Sequence, residues 1–232
     1  MKIRLSLVAL MLVTAACSGG GDDEGDSADV GPLEGTFSVV AGTCAADGTR
    51  TGSFFRMVNP GGTLEEGPFV ANGDSTCADK TFSPLLPGTD GGLTTTTYQP
   101  QPDPAFADNG SGLAALITQP TPFFGVAFAL ATNPTDPQTG TEVSPPRIVA
   151  DEQGGLSGDL SALGVAWNQQ HFNQGSPKPD GSRPGATAGP VGTYDRATGA
   201  YTLTWSTQIV GGPFNDFTGI WHFEGVFAPA AA

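Results

Sequence analysis

Gly192-Thr193-Tyr194-Asp195-Arg196-Ala197-Thr198-Gly199-Ala200-Tyr201-Thr202-Leu203-Thr204-Trp205 is the stretch on which the fold turns. Two runs of strand composition flank Asp195–Gly199, a loop whose last glycine can take the left-handed conformation that closes a hairpin. In the second run Tyr201, Leu203, Trp205 and Thr207 fall on alternate positions and therefore share one face. The same period of two governs the C-terminal strand. There Phe217, Gly219, Trp221, Phe223 and Phe227 occupy one face, and Thr218, Ile220, His222 and Glu224 the other. Working back, Leu156, Gly158, Leu160 and Ala162 alternate with Ser157, Asp159 and Ser161, and Val165-Ala166-Trp167 continues as a second strand or a bent extension. Phe123 to Leu130 reads as one strand, with Phe124, Val126, Phe128 and Leu130 directed into the core. Thr36–Val40 and Gly52–Val58 have strand composition and are joined through the turn signal Ala46-Asp47-Gly48. Residues 59–112 read as long ordered loops around a few edge strands.

Composition leads to the same class. The 232 residues include 34 Gly and 20 Pro, and only 14% are charged. Breakers at that density leave strand-sized segments and exclude a helical bundle or coiled coil. Fourteen Phe, three Trp and three Tyr supply aromatic mass that disordered chains lack. No repeat of 20 to 50 residues is visible, so a solenoid or propeller is excluded. The expectation is an all-β antiparallel β-sandwich or partly closed barrel with long Gly/Pro-rich loops, forming a single domain over 35–228.

Ahead of that domain, Lys2 and Arg4 precede an apolar run from Leu5 to Val13 and a small-residue stretch at Thr14-Ala15-Ala16, the pattern of a signal peptide over 1–16. Val13-Thr14-Ala15-Ala16-Cys17 resembles the lipobox of bacterial lipoproteins, with Thr14 where that motif prefers Leu or Val. The resemblance implies that Cys17 is acylated and becomes the mature N-terminus. It also implies a domain held by a lipid on the extracytoplasmic side of the cell envelope. The competing reading is an ordinary secreted protein cut at Ala-x-Ala-like residues. Residues 17–34, through Asp22-Asp23-Glu24, form an acidic flexible tether.

The formal net charge is −14, and loss of residues 1–16 leaves seven Lys and Arg against 23 Asp and Glu. Phosphate backbones need clustered cations, so nucleic acid is not an expected partner. With Cys17 lipidated, Cys44 and Cys77 remain as an even pair in an oxidising compartment, which predicts a disulfide between them. Closing a loop of about 34 residues would stabilise the fold by about 3–4 kcal/mol in the chain-entropy account. Two cysteines without close spacing or a neighbouring histidine do not make a zinc site.

Chemistry is less legible. The densest polar cluster runs from Trp167 to Gly181 and offers Trp167, Asn168, His171, Asn173 and Asp180 as candidate ligand-binding residues. Such a set can stack on and hydrogen-bond a polysaccharide. The same amides can instead tie down a loop, and Trp167 can equally be core. His171 and His222 are the only histidines, and Glu224 shares a strand face with His222. No phosphate-cradling loop, nucleophile elbow or zinc-protease helix is present, so no catalytic residue, resident metal or cofactor is expected. Acidic loops such as Asn133-Pro134-Thr135-Asp136 lack the spacing of a dedicated Ca²⁺ loop. The expected function is a non-catalytic surface module, either a structural envelope protein or a binder of polysaccharide. The alternative is a glycan hydrolase using two carboxylates such as Asp180 and Glu224 as acid and base.

The segments Trp167-Asn168, Phe172-Asn173-Gln174-Gly175, Thr198-Gly199-Ala200-Tyr201, Gly211-Gly212-Pro213-Phe214-Asn215 and Trp221-His222-x-Glu224-Gly225, with Thr51-Gly52-Ser53-Phe54-Phe55, resemble a family of uncharacterised exported bacterial proteins. That resemblance implies export and β structure and carries no activity. Pro146-Arg147-Ile148-Val149 through Leu156 to Asp159 is faintly similar to HtaA-type surface haem-binding domains. That likeness makes a haem-binding surface domain a further alternative. Those domains use tyrosine ligation, and the tyrosines here are Tyr98, Tyr194 and Tyr201, none in a copy of that motif.

Overall fold

The computed structural model describes residues 31–231, so residues 1–30, with Cys17 and most of the acidic tether, lie outside the described residues. Among the described residues the structure is strand and loop, with one 3-10 turn at Gly212–Phe214 and no α-helix. The first half of the chain carries β1 (Gly31–Pro32), β2 (Gly35–Ser38), β3 (Thr43–Cys44), β4 (Arg50–Thr51), β5 (Phe54–Thr63), β6 (Gly67–Phe69), β7 (Ser83–Pro84) and β8 (Gly92–Thr94). The second half carries β9 (Thr121–Phe123), β10 (Val126–Thr132), β11 (Arg147–Ala150), β12 (Gly155–Asp159), β13 (Leu163–Trp167), β14 (Gln170–Asn173), β15 (Ala188–Tyr194), β16 (Ala200–Gln208) and β17 (Thr218–Pro229). The fold is all-β and antiparallel. A large sheet in the order β1-β11-β12-β15-β16-β17-β2-β8 curls into a half-barrel, beside a second sheet β14-β13-β10-β9 and a small ribbon β3-β4.

The deciding hairpin forms as its sequence predicts. Thr193 pairs with Thr202 and Tyr194 with Tyr201, and Gly199 closes the loop at φ 75°. β17 keeps β16 along one edge, from Gln208↔Thr218 to Ala200↔Val226. Its other edge is shared: Thr218–His222 pair with β5, and Phe227–Pro229 pair with β2. Two serines span the switch between partners. Ser53 Oγ accepts the Glu224 N–H at 3.1 Å, and Ser38 Oγ accepts the Val226 N–H at 2.9 Å. The backbones approach so closely that a Cβ on Gly225 would sit 1.8 Å from the Ser38 carbonyl oxygen. Only glycine fits there.

Period-two burial then builds the core. Tyr201, Leu203, Trp205, Thr207, Trp221, Phe223 and Phe227 are all buried, while Ile220, His222 and Glu224 are half-buried on the outer face. Trp205 and Trp221 stack at 5.9 Å between ring centroids, 12° from parallel. Trp221 also meets Phe55 at 4.4 Å and Phe128 at 5.7 Å, which joins the large sheet to the second one. Aromatic pairs of this kind add to area burial.

Four expectations change. Phe123–Leu130 is a tight hairpin: Phe123 pairs with Val126, and Phe124 and Gly125 form the two-residue turn with φ 54° and 81°. Positive φ at both central residues matches the twist of the flanking strands, and it throws Phe124 outward at 48% exposure instead of into the core. Residues 167–173 form a second such hairpin. Trp167 pairs with Gln170 across Asn168-Gln169, whose φ values are 49° and 58°. In the region read as loops, β5 continues through Pro60-Gly61 to Thr63. The sheet begins at Gly31, inside the segment read as tether, where Gly31 pairs with Ala150.

Cys44 and Cys77 are disulfide-bonded with Cα atoms 5.4 Å apart. The bond ties the β3-β4 ribbon to the loop between β6 and β7.

Candidate functional site

Two tight loops and the end of β14 surround a cleft of about 270 Å³ whose exposed wall is mostly carbon with polar groups set into it. The first loop is closed by Gly140 N–H donating to Asp136 O and Asp136 N–H to Thr141 O. Its acid holds the loop: Asp136 Oδ2 accepts the Thr139 N–H at 2.8 Å and the Thr139 hydroxyl at 2.7 Å. The second loop is closed between Lys178 and Ser182, and Asp180 Oδ1 accepts the Ser182 N–H at 2.9 Å. Those Ser182 hydrogen bonds hold the Asp180 carboxyl below its usual range.

Asn173 links the loops. Its Nδ2 donates to Asp136 Oδ1 at 3.2 Å and to Ser161 O at 2.7 Å, its Oδ1 accepts the Gly175 N–H, and its own N–H donates to Gln138 Oε1 at 2.6 Å. Gln138 Nε2 donates in turn to Val210 O. A network satisfied this fully holds its members rigidly. Thr139, Thr141 and Ser182 add hydroxyls to the wall, and Pro179, Pro184 and Val210 add short apolar edges.

Lys178 is the unusual member. The residue is 6% exposed, yet its Nζ donates to one protein acceptor, Asn173 O at 2.9 Å. Lys178 takes part in no ion pair, so among the described residues no carboxylate lies within 4.0 Å of this ammonium. Burial lowers its pKa to about 8, against the opposing pull of Asp136 and Asp180.

The five residues singled out from sequence separate. Asn173 and Asp180 line the cleft. Trp167 is buried, donates its indole N–H to Phe123 O at 2.8 Å, and packs against Phe214. It belongs to the core. Asn168 sits exposed at the hairpin turn. His171 is half-buried against Phe106 at 4.9 Å, its Nδ1 has no hydrogen-bond partner, and burial lowers its pKa. Glu224 lies on the outer face of β17, where His222 Nδ1 meets Thr204 Oγ1 at 2.9 Å and His222 Nε2 is 3.8 Å from Glu224. The cleft lining includes Asp180 and not Glu224. Of the tyrosines, Tyr98 and Tyr201 donate to the Val143 and Ser38 carbonyls, and Tyr194 packs edge-on against Phe227. Among the described residues no group of three or more His, Cys, Asp or Glu is placed to hold a metal.

Sequence reading passed over Lys178, Gln138, Thr139, Thr141 and Ser182, which the fold brings beside Asn173. Gln174 is a further omission. Its carbonyl accepts the Trp205 indole N–H at 2.9 Å and its Oε1 accepts that of Trp221 at 3.3 Å, so it serves the core. The small apolar cavity next to it, lined by Phe55, Phe128, Phe214 and Trp221 among others, measures about 40 Å³. No protein-family model, curated protein or solved structure matches this chain.

Proposed function

We propose that this chain is a non-catalytic module on the extracytoplasmic side of a bacterial envelope, tethered through a lipidated Cys17, whose cleft holds a segment of polysaccharide. The cleft carries the binding half of this reading. Asn173, Thr139, Thr141, Ser182, Lys178 and Asp180 contribute amide, hydroxyl, ammonium and carboxylate groups to the lining of the cleft, and the Asn173 network links its two loops. With Trp167 in the core, recognition rests on hydrogen bonds at the cleft and not on stacking. A paired-carboxylate hydrolase is favoured by no observation here. It needs two carboxyls across one opening, Asp136 is occupied by Thr139 and Asn173, and Glu224 sits on the outer sheet face.

Glycan-array screening of the mature chain should return carbohydrate ligands. Asp180→Ala, which removes an exposed carboxylate and its hydrogen bonding to Ser182 while the Lys178–Ser182 backbone bond remains, should weaken them about fivefold or more through loss of one charge-assisted hydrogen bond. Array signals identical for wild type and Asp180→Ala would place binding elsewhere. The anchor is tested separately by metabolic labelling with an alkyne fatty acid. Wild type should be tagged and Cys17→Ser should not, and equal labelling of the two refutes lipidation.

A further inference from the structure

We infer that the saccharide taken by the cleft carries a carboxylate, as a uronic acid residue does, and that this carboxylate seats on the Lys178 ammonium. The inference rests on the proposed polysaccharide reading and adds a substrate class to it. An ammonium has three N–H donors. That of Lys178 is buried to 6% residue exposure, donates to a single main-chain oxygen, and has no carboxylate within ion-pair distance. A buried charge left this sparsely coordinated is unfavourable unless acceptors are supplied. Its neighbours do not supply them where they stand, since neither Asp136 nor Asp180 lies within 4.0 Å of the ammonium. Asp136 gives one oxygen to Asn173 and the other to Thr139, and Asn173 spends its side-chain oxygen on Gly175. The cleft that Lys178 itself lines is where a ligand could bring such an acceptor.

A ligand carboxylate would complete that coordination with a charge-assisted bond, the stronger kind. The rest of the wall suits the sugar that bears it. Thr139, Thr141 and Ser182 can donate or accept, and exposed Asp180 at the rim accepts from ring hydroxyls. Asp180 also disfavours polyanions that would bring a second negative group to the rim, which points to an isolated uronate among neutral sugars.

The experiment is calorimetric titration of the mature full chain with a uronic-acid oligosaccharide and with its methyl ester, which is the same sugar without the charge. The acid should bind about tenfold or more tightly than the ester. Lys178→Met should bind acid and ester with equal affinity. Circular dichroism of the variant, and amide shifts of Gln138 and Asn173 in wild type on adding the acid, keep the result readable if the variant folds poorly. Equal affinity for acid and ester, or discrimination that survives in Lys178→Met, overturns the carboxylate inference and leaves the polysaccharide reading standing. Failure of both compounds and of every neutral glycan to shift Gln138 or Asn173 overturns the polysaccharide reading itself.

Discussion

Trp221→Ala is expected to cost about 3–5 kcal/mol, a large part of the stability of a domain this size. Its indole stacks on Trp205, touches Phe55 and Phe128 across the sheet interface, and donates to Gln174 Oε1. Truncation therefore removes three ring contacts, leaves a buried amide oxygen without its donor, and enlarges the existing void beside Phe214. Little can collapse into the gap, because Phe55 and Phe128 belong to strands pinned on both sides by other pairings. His222→Ala, one residue on and facing outward with its side chain about a third exposed, should cost under about 1 kcal/mol. Urea melts of the two variants decide between them. A His222 variant more damaged than the Trp221 variant would mean that the aromatic row is not the core of this fold.

The strands that could be read in advance are those with one wet and one dry face. On β16 and β17 the alternation of Tyr201, Leu203, Trp205 and of Trp221, Phe223, Phe227 with polar residues is a direct record of that asymmetry. β10 and β13 are buried on both faces, so their sequences carry no such record. Val165-Ala166-Trp167 gave no facing, and the facing read from Phe123–Leu130 holds for Phe128 and Leu130 and fails at Phe124. The two hairpin turns were hidden for a different reason. Phe124-Gly125 and Asn168-Gln169 hold positive φ at Phe124 and Gln169, residue types that rarely adopt it, so composition could not announce the turns.

Half of the cleft was legible for a similar reason. The polar run from Trp167 to Gly181 advertised Asn173 and Asp180, but the opposing wall comes from Asp136–Thr141, more than thirty residues away in sequence. Only the Asn173–Asp136 and Asn173–Gln138 hydrogen bonds bring the two together. Lys178 stood between two prolines in a loop and looked like an ordinary solvated lysine until its burial was visible.

That burial sets up the second large effect: Lys178→Met should stabilise the free protein near pH 7 by as much as about 3 kcal/mol, and the gain should disappear as pH rises. Folding lowers the Lys178 pKa from 10.5 to about 8. Below pH 8 both the folded and unfolded chains carry the proton, and the full penalty of burying the charge is present. Between pH 8 and 10.5 the unfolded chain holds a proton that the folded chain has released, so the wild type gains stability with rising pH. A span of about 2.5 pH units at 1.36 kcal/mol each gives the upper size of the effect. Methionine fills much of the same volume, carries no charge, and leaves Asn173 O with the Gln174 Nε2 donor at 3.1 Å. Tyr201, whose pKa burial raises above its ordinary value, acts in the opposite sense above about pH 10. The comparison is therefore the difference between wild type and Lys178→Met in urea melts at pH 7 and pH 9.5, in which the tyrosine contribution cancels. A difference that stays constant between the two pH values would mean that the ammonium is solvated in the folded chain, and the unsatisfied charge on which carboxylate recognition depends would not exist.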